Sequence, residues 1–579
     1  MSGKPLNLFH SWKSYVWNEV PSAPKVYTRS ELELIREEGY NAIWLHGAGL
    51  RDMSRSDVFE EFNKPSNQVY VDALNTVTER ADEVGIGVFV YLVEPKGLDE
   101  RDPFWLKHAG LRGSRHASTV EADVMERAMC TSNREVLDFL ENSTSNLFRL
   151  VPGLAGLKLI TASEYPHHCL AFATPVWPDL YAKQYEALCP RCRDRDAVGL
   201  IGEIVNRIAK GAHAVKPDAE ILAFFWGWHW YEPAPHPRLV ESLDPRIGIG
   251  VNLSLRGLKE EADGSTRRIN EYALSYVGPA EACQQVHDLC RRLKRKLYIQ
   301  MVVGTTHECY AVPCIPVPGR VYEKVKAAKA MTPYGYFSTT FGTIPSVNTR
   351  VMRKMLATED IPQDKDAFLR ELALECFPGC SPEWVLKAWR FFSTAMHLYP
   401  FDNSLLYRGP LNYALAYKQE PGPVRGTPMN ESWLDRPRGD DLSPSCAACG
   451  EEVVTERFAE MARIFGEGLR YYRRGLARVA EPVREPELCN AGVIPLMFAS
   501  MANIFAIHQL KKNWSPGKMR SFKRLLRAER KICAKALPLV QRDARLGYNV
   551  DAQIYMFSEK LIQEKIEHID RILQAKGTV

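Results

Sequence analysis

Glu164 and Glu308 each close a short apolar run, Leu157 to Thr161 before the first and Lys296 to Val303 before the second. Two carboxylates across one cleft are what glycosidic-bond hydrolysis needs: a proton donor for the leaving oxygen, and a second group that attacks the anomeric carbon or activates water. A separation near ~5 Å lets the second carboxylate attack directly and retains configuration, whereas ~6.5–9.5 Å admits a water and inverts it. Groups suited to holding a polyol lie beside both. Ser163, Tyr165 and His167 surround Glu164 in sequence, His307 and Tyr310 flank Glu308, and His46 ends an earlier apolar run. Trp226, Trp228, His229, Trp230 and Tyr231 follow another. An indole packs against the C–H face of a sugar, although core packing accounts equally well for each tryptophan.

Cys189-Pro190-Arg191-Cys192 places two thiols at zinc-ligand spacing, half of the four that a structural zinc takes. Cys130, His168 and Cys169 fall near the ends of predicted elements and are candidates to complete the set; packed thiols without metal are the other reading. A structural zinc is therefore the metal role expected, with no cofactor required for catalysis; metal-assisted hydrolysis is the rival should Cys189 and Cys192 line the pocket. A second pair, Cys446 and Cys449, sits in an irregular stretch. Neither pair opens a helix after a strand in a small βαβ unit, which argues against thioredoxin-type redox chemistry. Fourteen cysteines among 579 residues do not make a disulfide scaffold. The first twenty residues lack the apolar core of a signal peptide, so reduced thiols and a cytoplasmic location are the expectation.

The elements that must position these groups follow from periodicity. Apolar runs at 6–12, 41–47, 86–92, 157–161, 220–226, 247–253, 296–303 and 334–340 read as strands, and amphipathic helices fill most of the intervals. Ser30-x-x-Glu33 and Ser132-x-x-Glu135 read as capping boxes, and Pro279 as the first residue of a helix. Eight alternating units predict an α/β fold, a (β/α)₈ TIM barrel over residues 1–350, with chemistry at the C-terminal ends of its strands. No Gly-x-Gly-x-x-Gly follows the first strand, which disfavours a dinucleotide site. Beyond residue 350 only helices are predicted, giving a mostly α-helical C-terminal domain over 351–579 with a long irregular segment at 400–450 that is a candidate wall of the site.

Net charge is +5, from 75 basic and 70 acidic residues, so no nucleic-acid partner is expected. The basic run from Lys518 to Lys531 reads as the solvated face of a helix. The apolar stretch 491–507 is broken by Pro495, Ser500 and Asn503 and reads as a buried helix, with no membrane contact expected.

Glutamates on the fourth and seventh strands resemble the arrangement of the large clan of retaining (β/α)₈ glycosidases. NAIWLHG at 41–47, CTSNREVLDFL at 130–140, VPGLAGLKLITASE at 151–164, CPRC at 189–192 and THECYAVPCIPVP at 306–318 resemble bacterial glycoside-hydrolase-like proteins related to the β-hexosaminidase barrels. RDARLGY at 542–548 extends the similarity more loosely. The resemblance implies a carbohydrate substrate, with Glu164 as general acid/base and Glu308 as nucleophile. Two departures matter. Ser163 stands where the retaining clan usually has Asn, and the Asp-Glu pair of hexosaminidases that use the substrate's acetamido group is absent. Substrate-assisted catalysis and a non-catalytic carbohydrate-binding barrel are the alternatives.

Overall fold

The computed structural model describes residues 6–11, 18–46, 48–118, 124–162, 167–171, 185–187, 189–260, 265–269, 271–340, 344–432, 436–549 and 552–575. Eight strands close into a parallel barrel: β1 (Leu6–Ser11), β2 (Ala42–Leu45), β3 (Gly87–Val93), β4 (Leu154–Ile160), β5 (Glu220–Phe224), β6 (Gly248–Asn252), β7 (Leu297–Val302) and β8 (Gly335–Thr340). They follow chain order around the barrel, and β8 closes onto β1. Parallel barrel strands are buried on both faces and so read as unbroken apolar runs. AIWL of β2, for instance, is buried at every position.

The connecting helices are α1 (Arg29–Glu37), α2 (Asn67–Glu83), α3 (Arg134–Leu150), α4 (Ala197–Val215), α5 (Pro237–Ser242), α6 (Glu281–Arg292) and α7 (Pro318–Ala330). Their buried residues recur at helical spacing, as with Val136, Phe139, Leu140, Leu147 and Phe148 of α3. The expected start signals shift. Thr28, not Ser30, caps α1, accepting from the Glu31 N–H at 3.3 Å. Asn133 is the N-cap residue of α3, and Ser132 is turned to the Cys192 thiol instead, at 3.1 Å. Pro279 lies before α6, which begins at Glu281.

Between β3 and α4 the chain adds a four-stranded sheet with no counterpart among the predicted strands. It orders Leu98–Asp99, Met125–Met129, Arg112–Ala117 and Tyr185–Ala187 side by side, all antiparallel.

The chain packs as two compact units whose division differs from a break at residue 350. The first comprises Met1–Leu253, Glu281–Gln300 and Met331–Ser338; the second comprises Ser254–Ala280, Met301–Ala330 and Thr339–Val579. The loops after β6 and β7 thus belong with the helical part. In the second unit follow α8 (Val347–Leu356), α9 (Lys365–Cys376), α10 (Pro382–His397), α11 (Glu451–Gly475), α12 (Glu481–Lys512), α13 (Met519–Arg542) and α14 (Glu559–Gln574). Helix α11 packs on α10 and α12, and α13 on α12 and α14. Phe392 stacks on Phe465 at 4.1 Å, and Phe465 meets Phe498 edge-on at 6.1 Å. By length and composition α12 could cross a membrane, but its apolar window is 72% buried inside the fold, as a core helix is. Phe522 and Leu526 form the buried stripe of α13, and most of its basic residues face outward.

Candidate active site and a four-cysteine cluster

Side chains of one parity along the strands fill the barrel, among them Trp44, Phe89, Tyr91, Ile160, Phe224, Tyr298 and Phe337. Gly250 of β6 has no side chain because a Cβ there would lie 2.8 Å from the Phe337 ring and 2.9 Å from the Phe224 ring. Among the described residues, polar side chains at this interior parity include Lys158, Asn252 and Gln300, and periodicity did not single them out. Lys158 of β4 is 2% exposed, with Nζ 3.9 Å from the Trp44 ring centroid and 4.7 Å from that of Phe224. Such a cage holds a cation on ring faces. Asn252 of β6 and Gln300 of β7 are register partners near their strand ends, and the Asn252 carboxamide approaches Gln300 Oε1 to 3.5 Å. The signal available in the sequence was a polar residue at interior parity in an apolar strand.

Of the groups expected at the strand ends, His46 follows β2, with its ring 4.4 Å from that of Tyr91. Trp226 follows β5 and lies half-buried against the interior cluster. Trp228 is fully buried, and its indole N–H donates to Thr161 Oγ1 at 3.1 Å. It ties the turn after β5 to the end of β4. His229 is half-buried in that turn, and the side chain of Trp230 lies outside the described residues.

Ser163, Glu164 and Tyr165 also lie outside the described residues. The chain on both sides of them is firmly held. Leu170 N–H donates to His168 Nδ1 at 3.1 Å, which leaves the proton on Nε2 to bond the Thr161 carbonyl at 3.0 Å. Tyr231 donates its hydroxyl to the Leu170 carbonyl at 2.7 Å. His167 is fully buried and packs edge-on to His168 at 4.5 Å. His167, expected near the substrate, is therefore enclosed, and His168, a candidate zinc ligand, is a structural pin. Burial holds its basicity well below that of an ordinary histidine.

Glu308 lies in the second unit, fully buried. Its carboxylate accepts from Leu274 N–H at 2.6 Å, from Ser275 N–H at 3.2 Å to each oxygen, and from the Thr306 hydroxyl at 2.9 Å. Lys324 Nζ donates to the Ala273 carbonyl at 2.7 Å, and Arg320 donates to the carbonyls of Leu274 and Ser275. One carboxylate and two cations thus anchor a single stretch of the loop after β6. Burial pushes Lys324 down to about 7. The geometry is that of an anchoring group, whereas a nucleophile open to a sugar was expected.

A further polar cluster of this unit surrounds His307, whose ring lies 5.2 Å from Tyr407, 5.5 Å from Tyr310 and 6.4 Å from Tyr272. Burial lowers the His307 pKa to about 3, so it is a neutral ring. Tyr310 is committed to Ser432, donating its hydroxyl to Oγ at 2.8 Å. Glu271 accepts from the Tyr407 hydroxyl and, at 2.8 Å, from Tyr272 N–H. It is a carboxylate among tyrosines that the sequence reading passed over, because the short strand before it, Thr266–Ile269, is largely polar and gives no apolar run. A separate cavity of about 620 Å³ in this unit is lined in part by Lys259 and Arg320. Those two cations are spent on backbone carbonyls, so the cavity supplies no free charge from them.

The Cys189–Cys192 pair does find partners. Sγ atoms of Cys130, Cys169, Cys189 and Cys192 all lie within 4.8 Å of one another and are buried. Cys130 Sγ is 3.6 Å from each sulfur of the Cys-x-x-Cys pair. Three segments meet here: the end of the Met125–Met129 strand, the loop after β4 and the turn before α4. Ser114 joins two of them, donating its hydroxyl to the Cys169 carbonyl at 2.7 Å and accepting from Cys189 N–H at 2.9 Å. Gly113 is required beside them, because a Cβ would lie 2.5 Å from Cys169 Sγ and 2.7 Å from the Ala128 carbonyl oxygen. His168 does not join the cluster. Cys446 and Cys449 belong to no such group; Cys449 accepts from Arg267 at 3.0 Å and Cys446 donates to nearby carbonyls. Among the described residues this is the one convergence of three or more ligating side chains.

No family model matches the chain, and no curated protein matches it in sequence. Solved structures match its fold. A GH138 enzyme targeting pectin rhamnogalacturonan II has a TM-score of 0.51 at 11% identity, over 99% of this chain and 85% of the other. A family 89 glycoside hydrolase from Clostridium perfringens, solved with PUGNAc, has a TM-score of 0.56 at 12% identity, over 99% of this chain and 63% of the other. A family 89 glycoside hydrolase from Clostridium perfringens solved with 2-acetamido-1,2-dideoxynojirmycin has a TM-score of 0.53 at 11% identity, over 100% of this chain and 64% of the other. This chain thus spans less than two thirds of the length of the family 89 structures. What this chain shares with these glycoside hydrolases is the fold, an eight-stranded parallel barrel.

Proposed function

We propose that this chain is a glycoside hydrolase in which Glu164 protonates the leaving oxygen and then activates the incoming water. One observation carries the reading. The strands around β4 end in a half-buried indole, Trp226, an imidazole, His46, and two carboxamides, Asn252 and Gln300, while β4 itself leads to Glu164. An apolar face with a few hydrogen-bonding groups at the C-terminal ends of barrel strands is what a sugar ring requires. Likeness to glycoside-hydrolase folds supports the same reading.

In the two-glutamate form of the mechanism Glu308 attacks the anomeric carbon and configuration is retained. The backbone N–H groups that occupy the Glu308 carboxylate favour a second form, in which the substrate's own 2-acetamido group supplies the nucleophile and Glu308 holds the loop after β6. The 2-acetamido ligand of the family 89 structure makes such sugars the first to try.

The test is hydrolysis of paired 4-nitrophenyl glycosides with a 2-hydroxyl or a 2-acetamido group. Turnover by the wild-type chain is expected, with a loss of about a thousandfold in Glu164→Gln. Activity confined to 2-acetamido substrates and surviving in folded Glu308→Gln selects the acetamido form. Activity on 2-hydroxyl substrates, lost in Glu308→Gln or Glu271→Gln and rescued by azide, identifies a protein nucleophile. Sugar binding without turnover on any substrate overturns the enzyme reading in favour of a binding barrel.

A further inference from the structure

We propose that Cys130, Cys169, Cys189 and Cys192 bind one zinc ion as a closed structural centre that clamps the Glu164 loop to the antiparallel sheet inserted after β3. The fit is chemical and geometric. Zinc takes four ligands in a tetrahedron, and thiolate bonds of ~2.3 Å place the sulfurs about 3.8 Å apart. Cys130 lies 3.6 Å from Cys189 and from Cys192, and no pair in the cluster exceeds 4.8 Å. Cys192 N–H and Arg193 N–H both donate to the Cys189 carbonyl at 3.0 Å, so the Cys-x-x-Cys turn already points its two thiols to one side.

The surroundings suit an anionic tetrathiolate. Arg191 Nε donates to Cys130 Sγ at 3.3 Å, and Arg195 donates to Ser132, whose hydroxyl lies 3.1 Å from Cys192 Sγ. Groups of this kind orient thiolates and offset their charge. On binding, the four thiols release their protons to solvent and the ion takes the sulfur lone pairs. With all four positions filled by protein, no site is left for water or substrate, so the ion does not enter the chemistry.

The role follows from where the ligands lie. Cys169 comes five residues after Glu164, and the chain before Glu164 is anchored at Thr161 by Trp228 and His168. The ion supplies the second anchor, joining Cys169 to the start of α3 and the approach to α4. That positioning role rests on the glycosidase reading; the metal site itself does not.

Metal content of the full-length chain, purified without chelator, is measured by plasma mass spectrometry. One zinc per chain is expected, retained by the double variant Cys446→Ser/Cys449→Ser and lost or weakened at least tenfold in Cys169→Ser. Exchange for cobalt is expected to give thiolate-to-metal charge-transfer absorption and the visible bands of a tetrahedral ion. Should Cys169→Ser not fold, titration of the wild type with an organomercurial replaces it, and release of the zinc as four thiols react is the expected result. No stoichiometric metal after reconstitution with zinc, stoichiometric iron in its place, or loss of the metal in the Cys446/Cys449 variant overturns the site. Hydrogen exchange with the metal removed tests the clamp: faster exchange at 167–171 and 189–196, with β6 and β7 unchanged, is expected. Unchanged exchange there overturns it. A chain that binds zinc but hydrolyses no glycoside leaves the metal site standing and removes the enzyme reading alone.

Discussion

At the scale of single residues, the buried charges of the second unit make separable predictions. Glu308 is fully buried and accepts from two backbone N–H groups and a hydroxyl. Glu308→Gln turns an amide toward those donors and is expected to cost about 3 kcal/mol in unfolding free energy. A group serving only as nucleophile would leave stability nearly unchanged, so denaturant melts of this variant separate anchoring from chemistry. Lys324 titrates near 7 in the fold, against 10.5 for the free side chain. Between those values the unfolded chain holds a proton that the folded one has released, so stability rises with pH across that window. The slope is at most about 1.4 kcal/mol per pH unit. Below pH 7 both states are protonated and the contribution is flat. The difference in unfolding free energy between wild type and Lys324→Met, followed through the window, is expected to move in favour of the wild type as pH rises. A constant difference counts against it.

At the scale of elements, α12, α13 and α14 are joined by a buried ion pair. Glu529 and Lys565 are at most 1% exposed, and the glutamate also accepts from Ser500 and, at 2.9 Å, from Asn503. Removing one partner strands the other charge in an apolar interior, so Lys565→Met is expected to cost about 3–5 kcal/mol. The double change Lys565→Met/Glu529→Leu should recover much of that, and a double-mutant cycle measures the coupling. What the sequence discloses also divides by element. All eight barrel strands were legible because strands buried on both faces are continuously apolar. The inserted sheet was not, since Arg112–Ala117 is largely polar, Met125–Met129 is interrupted by Glu126 and Arg127, and neither shows clean alternation. Cys189 and Cys192 were legible by spacing. Cys130 and Cys169 were only two candidates among three until folding left His168 bonded to Thr161. The direction in which Glu308 turns was illegible, because two of its three donors, the N–H groups of Leu274 and Ser275, come from far away in the chain.

At the scale of the whole molecule, two compact units with separate cores imply that unfolding is not one transition. The core of the second unit is helix packing around Phe392, Phe465 and Phe498, while the first holds the barrel interior and the four cysteines. A ligand that binds only the folded form stabilises the part that binds it. Zinc removal should therefore lower the midpoint of one unit selectively. Calorimetry of the full chain with and without a strong chelator is expected to resolve two transitions, with the chelator moving only one. Hydrogen exchange assigns them: on chelation, protection should fall in segments around Cys130, Cys169 and Cys189 and hold in α11 to α14. A single transition that moves as a whole would mean that the two units unfold together, and the same exchange experiment would then show α11 to α14 opening with the rest. The cysteine cluster would in that case be a staple for the entire chain, and its loss would be felt at Glu529 and Lys565 as much as at Cys169.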